Sequence, residues 1–421
     1  MREAEVLVIG AGPAGVMAAA AAAEQGRRVL LLDDNAAAGG QIWREGVAMP
    51  GEREDARRKA ALGRLRESGA ELLAGWRVFD APAEGRLRAA SATAAATFCY
   101  ERLVLATGAR ERFLPFPGWT IPGVFGAGGL QALVKGGFPV EGKRVAVAGS
   151  GPLLLAVAAH LKLRGARITG VAEQAAFGRL LLFGASLMLY PAKLLEALRY
   201  RGALGAARYR TGCWPVAALG DSRLTGVRLT DGSKTWEEEC ELLACGFHLT
   251  PNTELAALLG CAFRQEFVEV NELQQTSIRN IYCAGEATEI SGLEGALVQG
   301  EVAGLACAGR LEAARACNNR RRSTRSFARR LDAAFRLRSE LRSLAVPQTI
   351  VCRCEDVTFA QLARYRTWTE AKLQARCGMG ACQGRVCGPA TQTIFGWKPG
   401  SVRPPLVPVP VSALCKDEST A

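Results

Sequence analysis

Val6-Leu7-Val8-Ile9-Gly10-Ala11-Gly12-Pro13-Ala14-Gly15 opens the chain's chemistry and decides its fold. Four consecutive aliphatic residues suit a strand buried on both faces. The G-x-G-x-x-G pattern follows at once, and an alanine-rich run to Gly26 reads as a helix. A second aliphatic strand, Val29-Leu30-Leu31-Leu32, ends at Asp33. In this strand–turn–helix–strand–acid setting the glycines have separate jobs. Gly10 permits the tight turn, Gly12 lets backbone approach a pyrophosphate, and Gly15 lets helix and strand pack closely. Pro13 and Ala14 open the helix, whose amides and positive dipole end attract phosphate. Asp33 is placed to accept from ribose hydroxyls.

Three later segments favour FAD as the dinucleotide. Gly39-Gly40-Gln41 follows the second strand, where backbone passes close to a ligand. Leu103 to Ala109 is an apolar strand that ends in the small-residue turn Ala106-Thr107-Gly108. Ile281-Tyr282-Cys283-Ala284 is another, ending at Gly285-Glu286, with Gly292, Gly295 and a helix from about Ala296 beyond it. A second unit repeats the fingerprint: Val145-Ala146-Val147-Ala148, Gly149-Ser150-Gly151-Pro152-Leu153-Leu154, a helix to about Arg164, and a strand ending at Glu173. Here Leu154 stands at the third glycine position, which pushes helix and strand apart. Glu173 disfavours a 2′-phosphate. The site is left open between NAD, an adenine nucleotide such as ADP or ATP, and no ligand.

These segments resemble the glutathione-reductase-like flavoproteins with two nested dinucleotide domains. The resemblance implies an α/β fold of two Rossmann-like domains. It also implies that Glu286 contacts the ribityl chain and that the helix after Gly295 and Ala296 faces the flavin pyrimidine end. The family more often carries Asp at the Glu286 position. No C-x-x-x-x-C follows Gly40 and no C-x-x-C lies in the inserted unit, so a disulphide-reducing dithiol is not expected. Cys240 and Cys245 read as buried core residues. Two histidines, His160 and His248, assemble no hydrolytic site, and no catalytic residue is assigned.

The other chemistry sits near the C-terminus. Five of the 14 cysteines fall between Cys352 and Cys387. Cys352 and Cys354 form C-x-C, and Cys382 and Cys387 form C-x₄-C among glycines. Such thiol density suits a metal centre, either [2Fe-2S] or zinc, and glycine-rich backbone leaves amides to donate to sulfur. The pattern resembles the bacterioferritin-associated-ferredoxin-like [2Fe-2S] domain, which implies Cys352, Cys354, Cys382 and Cys387 as ligands and leaves Cys377 as a neighbour. Asp356 or Thr358 is a plausible cap for the helix that follows.

Composition bounds the rest. With 421 residues, 49% of them apolar, the chain has room for several packed cores. The net charge is +13, and Arg310 to Arg342 holds eleven arginines against Glu312, Asp332 and Glu340, a net of +8. This connector has helical periodicity and lacks nucleic-acid stacking groups, so it reads as a solvated or partner-facing helix, with an anionic lipid surface as the alternative and no nucleic acid. The expected organisation is an FAD-binding domain (1–118 and 281–310), an inserted dinucleotide domain (119–280), the connector (311–347), a small helical [2Fe-2S] domain (348–395) and a Pro-rich tail (396–421) that offers docking surface. No signal peptide or membrane span is expected, which suggests the cytoplasm or the inner face of the membrane.

Taken whole, the chain resembles the α subunits of heteromeric bacterial FAD-dependent amino-acid dehydrogenases: L-proline and D-hydroxyproline dehydrogenases, octopine and nopaline oxidases, and glycine-oxidising cyanide synthases. That resemblance implies an electron-relay subunit. Its expected partners are an FAD-containing, D-amino-acid-oxidase-like β subunit, a small γ subunit, an FMN at a subunit interface, and a quinone or other acceptor. The alternatives are a stand-alone NADH-dependent reductase and a zinc-stabilised binding protein.

Overall fold

A computed structural model describes residues 1–44, 55–398 and 401–415. The chain divides into two units, Met1–Arg110 with Pro251–Arg329 and Ser401–Ala421, and Glu111–Thr250 with Arg330–Gly400. The first unit begins with β1 (Arg2–Ile9), α1 (Pro13–Ala23) and β2 (Val29–Asp33). It continues through α2 (Ala56–Glu67), β3 (Glu71–Ala74), β4 (Arg77–Ala83), β5 (Arg86–Ala90) and β6 (Ala95–Leu105). The sheet order is β3-β2-β1-β6-β5-β4. β1 lies parallel to β2 and to β6, with Val8 opposite Leu31 and Val104. All of β2 is buried, as a strand covered on both faces requires.

The second unit has its own parallel sheet. β7 (Val124–Gly126), α3 (Ala127–Lys135), β8 (Arg144–Ser150), α4 (Leu153–Leu163) and β9 (Arg167–Glu173) come first. Next are α5 (Phe177–Ser186), α6 (Pro191–Leu204) and β10 (Arg208–Thr211). An antiparallel meander follows, β11 (Trp214–Leu219), β12 (Gly226–Thr230) and β13 (Thr235–Glu239), and then β14 (Leu242–Phe247). The sheet runs β10-β9-β8-β14-β7. Cys240 and Cys245 are fully buried free thiols, Cys245 within β14.

From Pro251 the chain rejoins the first unit. Leu255, Ala256, Cys261 and Val268 share a core with Leu7, Leu103 and Leu105, so residues 251–280 pack with the first sheet, ahead of the boundary expected near residue 281. β15 (Ile281–Cys283) pairs in parallel with β6. α7 runs Gly292–Cys307, starting before the expected Ala296, because glycines conceal a helix whose buried face needs no side chains. A Cβ on Gly300 would stand 2.1 Å from the Ala14 carbonyl, and one on Gly304 2.3 Å from that of Ala18. α1 and α7 therefore meet backbone to backbone.

α8 (Asn318–Phe335) is the basic connector helix. It buries Ala328, Leu331, Ala334 and Phe335 and leaves Arg322, Arg325, Arg329 and Arg330 exposed. The small C-terminal fold comprises β16 (Ile350–Cys352), β17 (Val357–Thr358), α9 (Phe359–Leu362), α10 (Trp368–Ala375) and α11 (Cys387–Phe395). Of the two candidate caps, Thr358 caps α9: its side chain accepts from the Gln361 amide, and the Gln361 side chain returns the bond. Asp356 instead takes a left-handed φ of 51° in the preceding turn.

The described part of the tail packs on the first unit at two points. The Leu406 amide donates to the Phe79 carbonyl at 2.8 Å, and Leu406 enters the first unit's core. Ala413 packs on Phe79 and Ala90, and Arg88 donates to the Ala413 carbonyl at 2.8 Å. Leu406 and Ala413 thus cover part of the first unit, while Val411 and Leu414 stay exposed. Pro399, Gly400 and residues 416–421 lie outside the described residues.

Candidate functional site: two glycine-rich crevices and a thiol cluster

The first crevice forms where β1 hands over to α1. Gly10 has φ +101°, and a Cβ there would be 2.3 Å from the Ala106 carbonyl. A Cβ on Gly15 would be 1.7 Å from the Gly10 carbonyl. Gly40, at φ +58°, lies against Gly12, with its notional Cβ 2.8 Å from the Gly12 Cα. Gly39 donates to the Ala11 carbonyl at 2.7 Å. Asp33 is buried and accepts from the Ala11 amide and, at 2.7 Å, the Asn35 amide. No side chain caps α1 and no acid occupies its first turn, so among the described residues the first amides, at the electropositive helix end, have no side-chain acceptor.

Of the other expected residues, Gly285 and Ala296 lie beside this turn. A Cβ on Gly285 (φ +79°) would be 2.9 Å from the Ala14 Cβ and 3.9 Å from that of Ala296, and Gly295 and Ala296 fall in the first turns of α7. Thr107 donates to the Asn252 carbonyl at 2.5 Å and Asn252 returns a bond at 2.9 Å. Gly108 holds φ +67° with open space where a Cβ would point. Gln41 is exposed and accepts from Arg44 at 3.0 Å. Glu286 stands in the short turn Gly285–Ala287, and burial alone pushes its carboxyl up to about 7. Sequence reasoning missed Gln299. Its Oε1 accepts from the Gly285 amide (2.8 Å) and the Thr288 hydroxyl (3.0 Å), and its Nε2 donates to Glu289 (2.8 Å). A buried glutamine inside an apolar helix was the signal available. The open amides, the crossing glycines and the half-buried Glu286 fit a dinucleotide.

The second crevice differs in detail. Gly149 (φ +133°) is pressed on Gly246, its notional Cβ 1.8 Å from that carbonyl. Leu154 is buried in the core between α4 and the sheet, so the helix start follows a bulkier packing than Gly15 allows. α4 begins at Leu153 after Pro152, again with no side-chain cap. Glu173 is fully buried and accepts from Gly151 (2.7 Å) and Ala175 (2.9 Å). Beside it Ser150 and Gln174 are spent on the end of the connector. Ser150 donates to the Phe335 carbonyl at 3.2 Å, Gln174 donates to Ser150 at 2.9 Å, and Gln174 accepts from the Arg338 amide at 3.2 Å.

Burial raises the Glu173 carboxyl from 4.5 to about 7, against the amides that lower it. The folded chain therefore keeps a proton that the unfolded chain has released, between about pH 4.5 and 7. Stability falls as pH rises through that window, by up to about 3 kcal/mol from this group, and then levels. Melting curves of the apo chain are expected to show a shallower decline over this range in Glu173→Gln than in wild type. An equal or steeper decline contradicts the assignment.

The thiol cluster involves the five cysteines from Cys352 to Cys387, and Cys415 lies apart from them, exposed. The sulfurs of Cys352, Cys377 and Cys387, all buried, lie within 4.8 Å of one another. Cys382 hydrogen-bonds to Cys387 and to Cys354 beside them. Cys377, expected as a neighbour, thus stands inside the group. Glycines make the space: a Cβ on Gly380 would be 2.4 Å from the Cys354 Cβ, and one on Gly378 would be 2.6 Å from the Trp368 ring. Hydrogen bonds from Cys377 and Cys387, helped by the Gly378 and Glu355 amides, pull the Cys352 thiol down to about 2. Cys387, followed by the Gly384 and Val386 amides, brings Cys382 down to about 5. Sharing with Cys352 pushes Cys377 up to about 12 and Cys387 far above the usual range. Thiols this close compete for protons that a bound cation replaces, and the amides already aim at sulfur, so the donor set fits a metal centre.

Nested parallel-sheet units, an uncapped glycine turn and an acid at the end of each second strand define a flavoprotein oxidoreductase with two dinucleotide folds. The chain belongs to the pyridine nucleotide-disulphide oxidoreductase family, which matches residues 4–308. It is 34% identical over 355 residues to the hydrogen cyanide synthase subunit HcnB of Pseudomonas aeruginosa, across 75% of each chain. It is 32% identical to an opine oxidase subunit of Rhizobium meliloti, across 99% of this chain and 88% of that one. Among solved structures, L-proline dehydrogenase from P. horikoshii shares the fold at a TM-score of 0.71 and 18% identity, over 98% of this chain and 80% of that one. Both curated relatives are named as subunits of larger enzymes. Among the described residues no helix is long and apolar enough to cross a membrane.

Proposed function

We propose that this chain is the electron-relay subunit of a heteromeric dehydrogenase whose donor is an amino acid, imino acid or opine. The observation that carries the reading is a glycine-rich dinucleotide fold and a group of three buried thiols, Cys352, Cys377 and Cys387, in one chain that matches an opine oxidase subunit over 99% of its length. When bound, FAD accepts electrons pairwise and a [2Fe-2S] centre passes them singly. The chain's own residues bind and orient. The amides of α1's first turn receive the pyrophosphate, Asp33 meets the adenosine ribose, and Glu286 meets the ribityl chain. Gln299 fixes the Gly285 amide and holds the loop between β15 and α7. Cys352, Cys354, Cys382 and Cys387 hold the metal centre, with Cys377 in contact. In this reading the donor is oxidised on a separate FAD-containing subunit. Glycine, proline, D-hydroxyproline, octopine and nopaline are the donors to test, with a quinone as acceptor. For the second crevice an adenine nucleotide is favoured over NAD, because Leu154 replaces the third fingerprint glycine and Ser150 and Gln174 are engaged with the connector end.

The test is to purify the chain alone and with its co-expressed partner subunit, then add these donors and a soluble quinone. Turnover is expected only from the assembled enzyme. Full donor oxidation by the chain alone overturns the reading, and so does rapid flavin bleaching by NADH alone, which would identify a self-sufficient reductase.

A further inference from the structure

Segment Phe177–Leu204 does not behave like the rest of the second unit. α5 contains no buried residue at all. Phe177, Leu181, Leu182, Met188, Leu189, Leu195 and Leu198 are each 50–76% exposed. The segment is nevertheless fixed to the body, because the Phe183 ring meets Phe335 edge-on at 5.5 Å and Leu187 and Leu204 are buried. Seven large apolar side chains exposed within one 28-residue segment are not the singly scattered surface hydrophobics of an ordinary monomer. Water contact with so many apolar side chains is unfavourable, so something covers them.

We propose that α5 and α6 form a monotopic membrane contact that seats the chain on an anionic phospholipid bilayer. Charge argues for lipid. Between Phe177 and Leu204 there are four cations, Arg179, Lys193, Arg199 and Arg201, and one acid, Glu196. Lys193 pairs with Glu196 at 2.9 Å, while Arg199 and Arg201 remain at the exposed surface to meet phosphate headgroups. Composition agrees. Five of the seven exposed side chains are leucine, which is under-represented at the energetic centres of protein interfaces but common on the lipid side of interfacial helices, where arginine and lysine flank it. Tyr190 and Tyr200 supply amphipathic rings suited to headgroup level. Length agrees too: helices of 10 and 14 residues reach about 15 and 21 Å, short of the ~30 Å hydrocarbon core, so they lie along the surface. A lipid-dissolved acceptor would then be within reach; that consequence rests on the relay reading, whereas the membrane contact itself does not.

The experiment is flotation of the flavin-loaded chain, purified with its partner subunit, against phosphatidylglycerol/phosphatidylethanolamine vesicles and against phosphatidylcholine vesicles. Wild type is expected to float with the anionic vesicles and to stay in the bottom fraction with phosphatidylcholine. A Leu181→Glu/Leu182→Glu/Met188→Glu variant is expected to stay at the bottom with both, with the flavin spectrum and melting temperature of wild type. Arg199→Glu/Arg201→Glu, which leaves every apolar contact in place, is expected to lose most of the anionic binding and serves if the triple variant misfolds. The proposal is overturned if wild type stays at the bottom with anionic vesicles, or if both variants float as wild type does. It is equally overturned if the triple variant sheds a co-purifying subunit while the wild-type assembly ignores vesicles, for the face then docks protein. Donor-driven turnover with a soluble quinone needs no vesicles, so failure here leaves the relay reading to its own test.

Discussion

Cys387→Ser is expected to remove the metal centre while sparing the flavin. Cys387 is the first residue of α11, is buried, and hydrogen-bonds to Cys352, Cys377 and Cys382. It is the sulfur that joins the two halves of the cluster. Serine keeps the size but offers a poor ligand for iron or zinc, since the thiolate is the binding form. Even outer partners of metal ligands are typically worth 10–100-fold in affinity, and a direct ligand is worth more. Iron and acid-labile sulfide per chain are expected to fall to near background, with FAD content unchanged. Cys377→Ser is the informative companion. If Cys377 only adjoins the four ligands, that variant keeps its iron; if it loses iron as Cys387→Ser does, Cys377 is a ligand and one of Cys354 or Cys382 is not. Full iron in Cys387→Ser contradicts the cluster assignment.

Gly15→Val is expected to abolish FAD binding. A Cβ at this position would stand 1.7 Å from the Gly10 carbonyl and 3.2 Å from the Ala106 Cβ. Any side chain forces α1 away from β1 and β6. The same helix is held on its other side by Gly300 and Gly304 of α7, so it has nowhere to go. Overpacking at a close-packed backbone crossing costs roughly 1–3 kcal/mol or more, and the displaced helix no longer aims its first amides at the pyrophosphate. The purified variant is expected to be colourless in the flavin bands or to fail to accumulate. Normal FAD content contradicts the assignment of the first crevice. The second crevice shows the contrast within one molecule, because Leu154 already fills the corresponding position and is buried there without conflict.

Much of this was legible in the sequence because backbone geometry demanded it. Gly10, Gly40, Gly149 and Gly285 adopt positive φ where other residues are strained, and the two acids end their strands where the fingerprints place them. Glycine was also what misled. Gly292, Gly295, Gly300 and Gly304 lower helix propensity, yet α7 is a full helix because its close approach to α1 excludes side chains. The tail reads as an exposed Pro-rich segment, but Leu406 and Ala413 find apolar surface that local sequence does not reveal. Gln299, Asn252 and the contacts of Ser150 and Gln174 with the connector end depend on residues far away in the chain, which spacing cannot report. The place of Cys377 is of the same kind. Arg376 takes a left-handed conformation at the end of α10, and that turn swings the next thiol into the cluster.

The account rests on electrons entering from a partner and leaving through the thiol cluster. Low-temperature electron paramagnetic resonance of the anaerobic assembled enzyme, before and after adding its donor, tests this most directly. The predicted result is a reduced [2Fe-2S] signal that appears together with flavin bleaching, only in the presence of the partner subunit, and that is lost in Cys387→Ser. A flavin that bleaches with the donor in the isolated chain, or a fully reduced flavin with no iron–sulfur signal in the assembled enzyme, would contradict it.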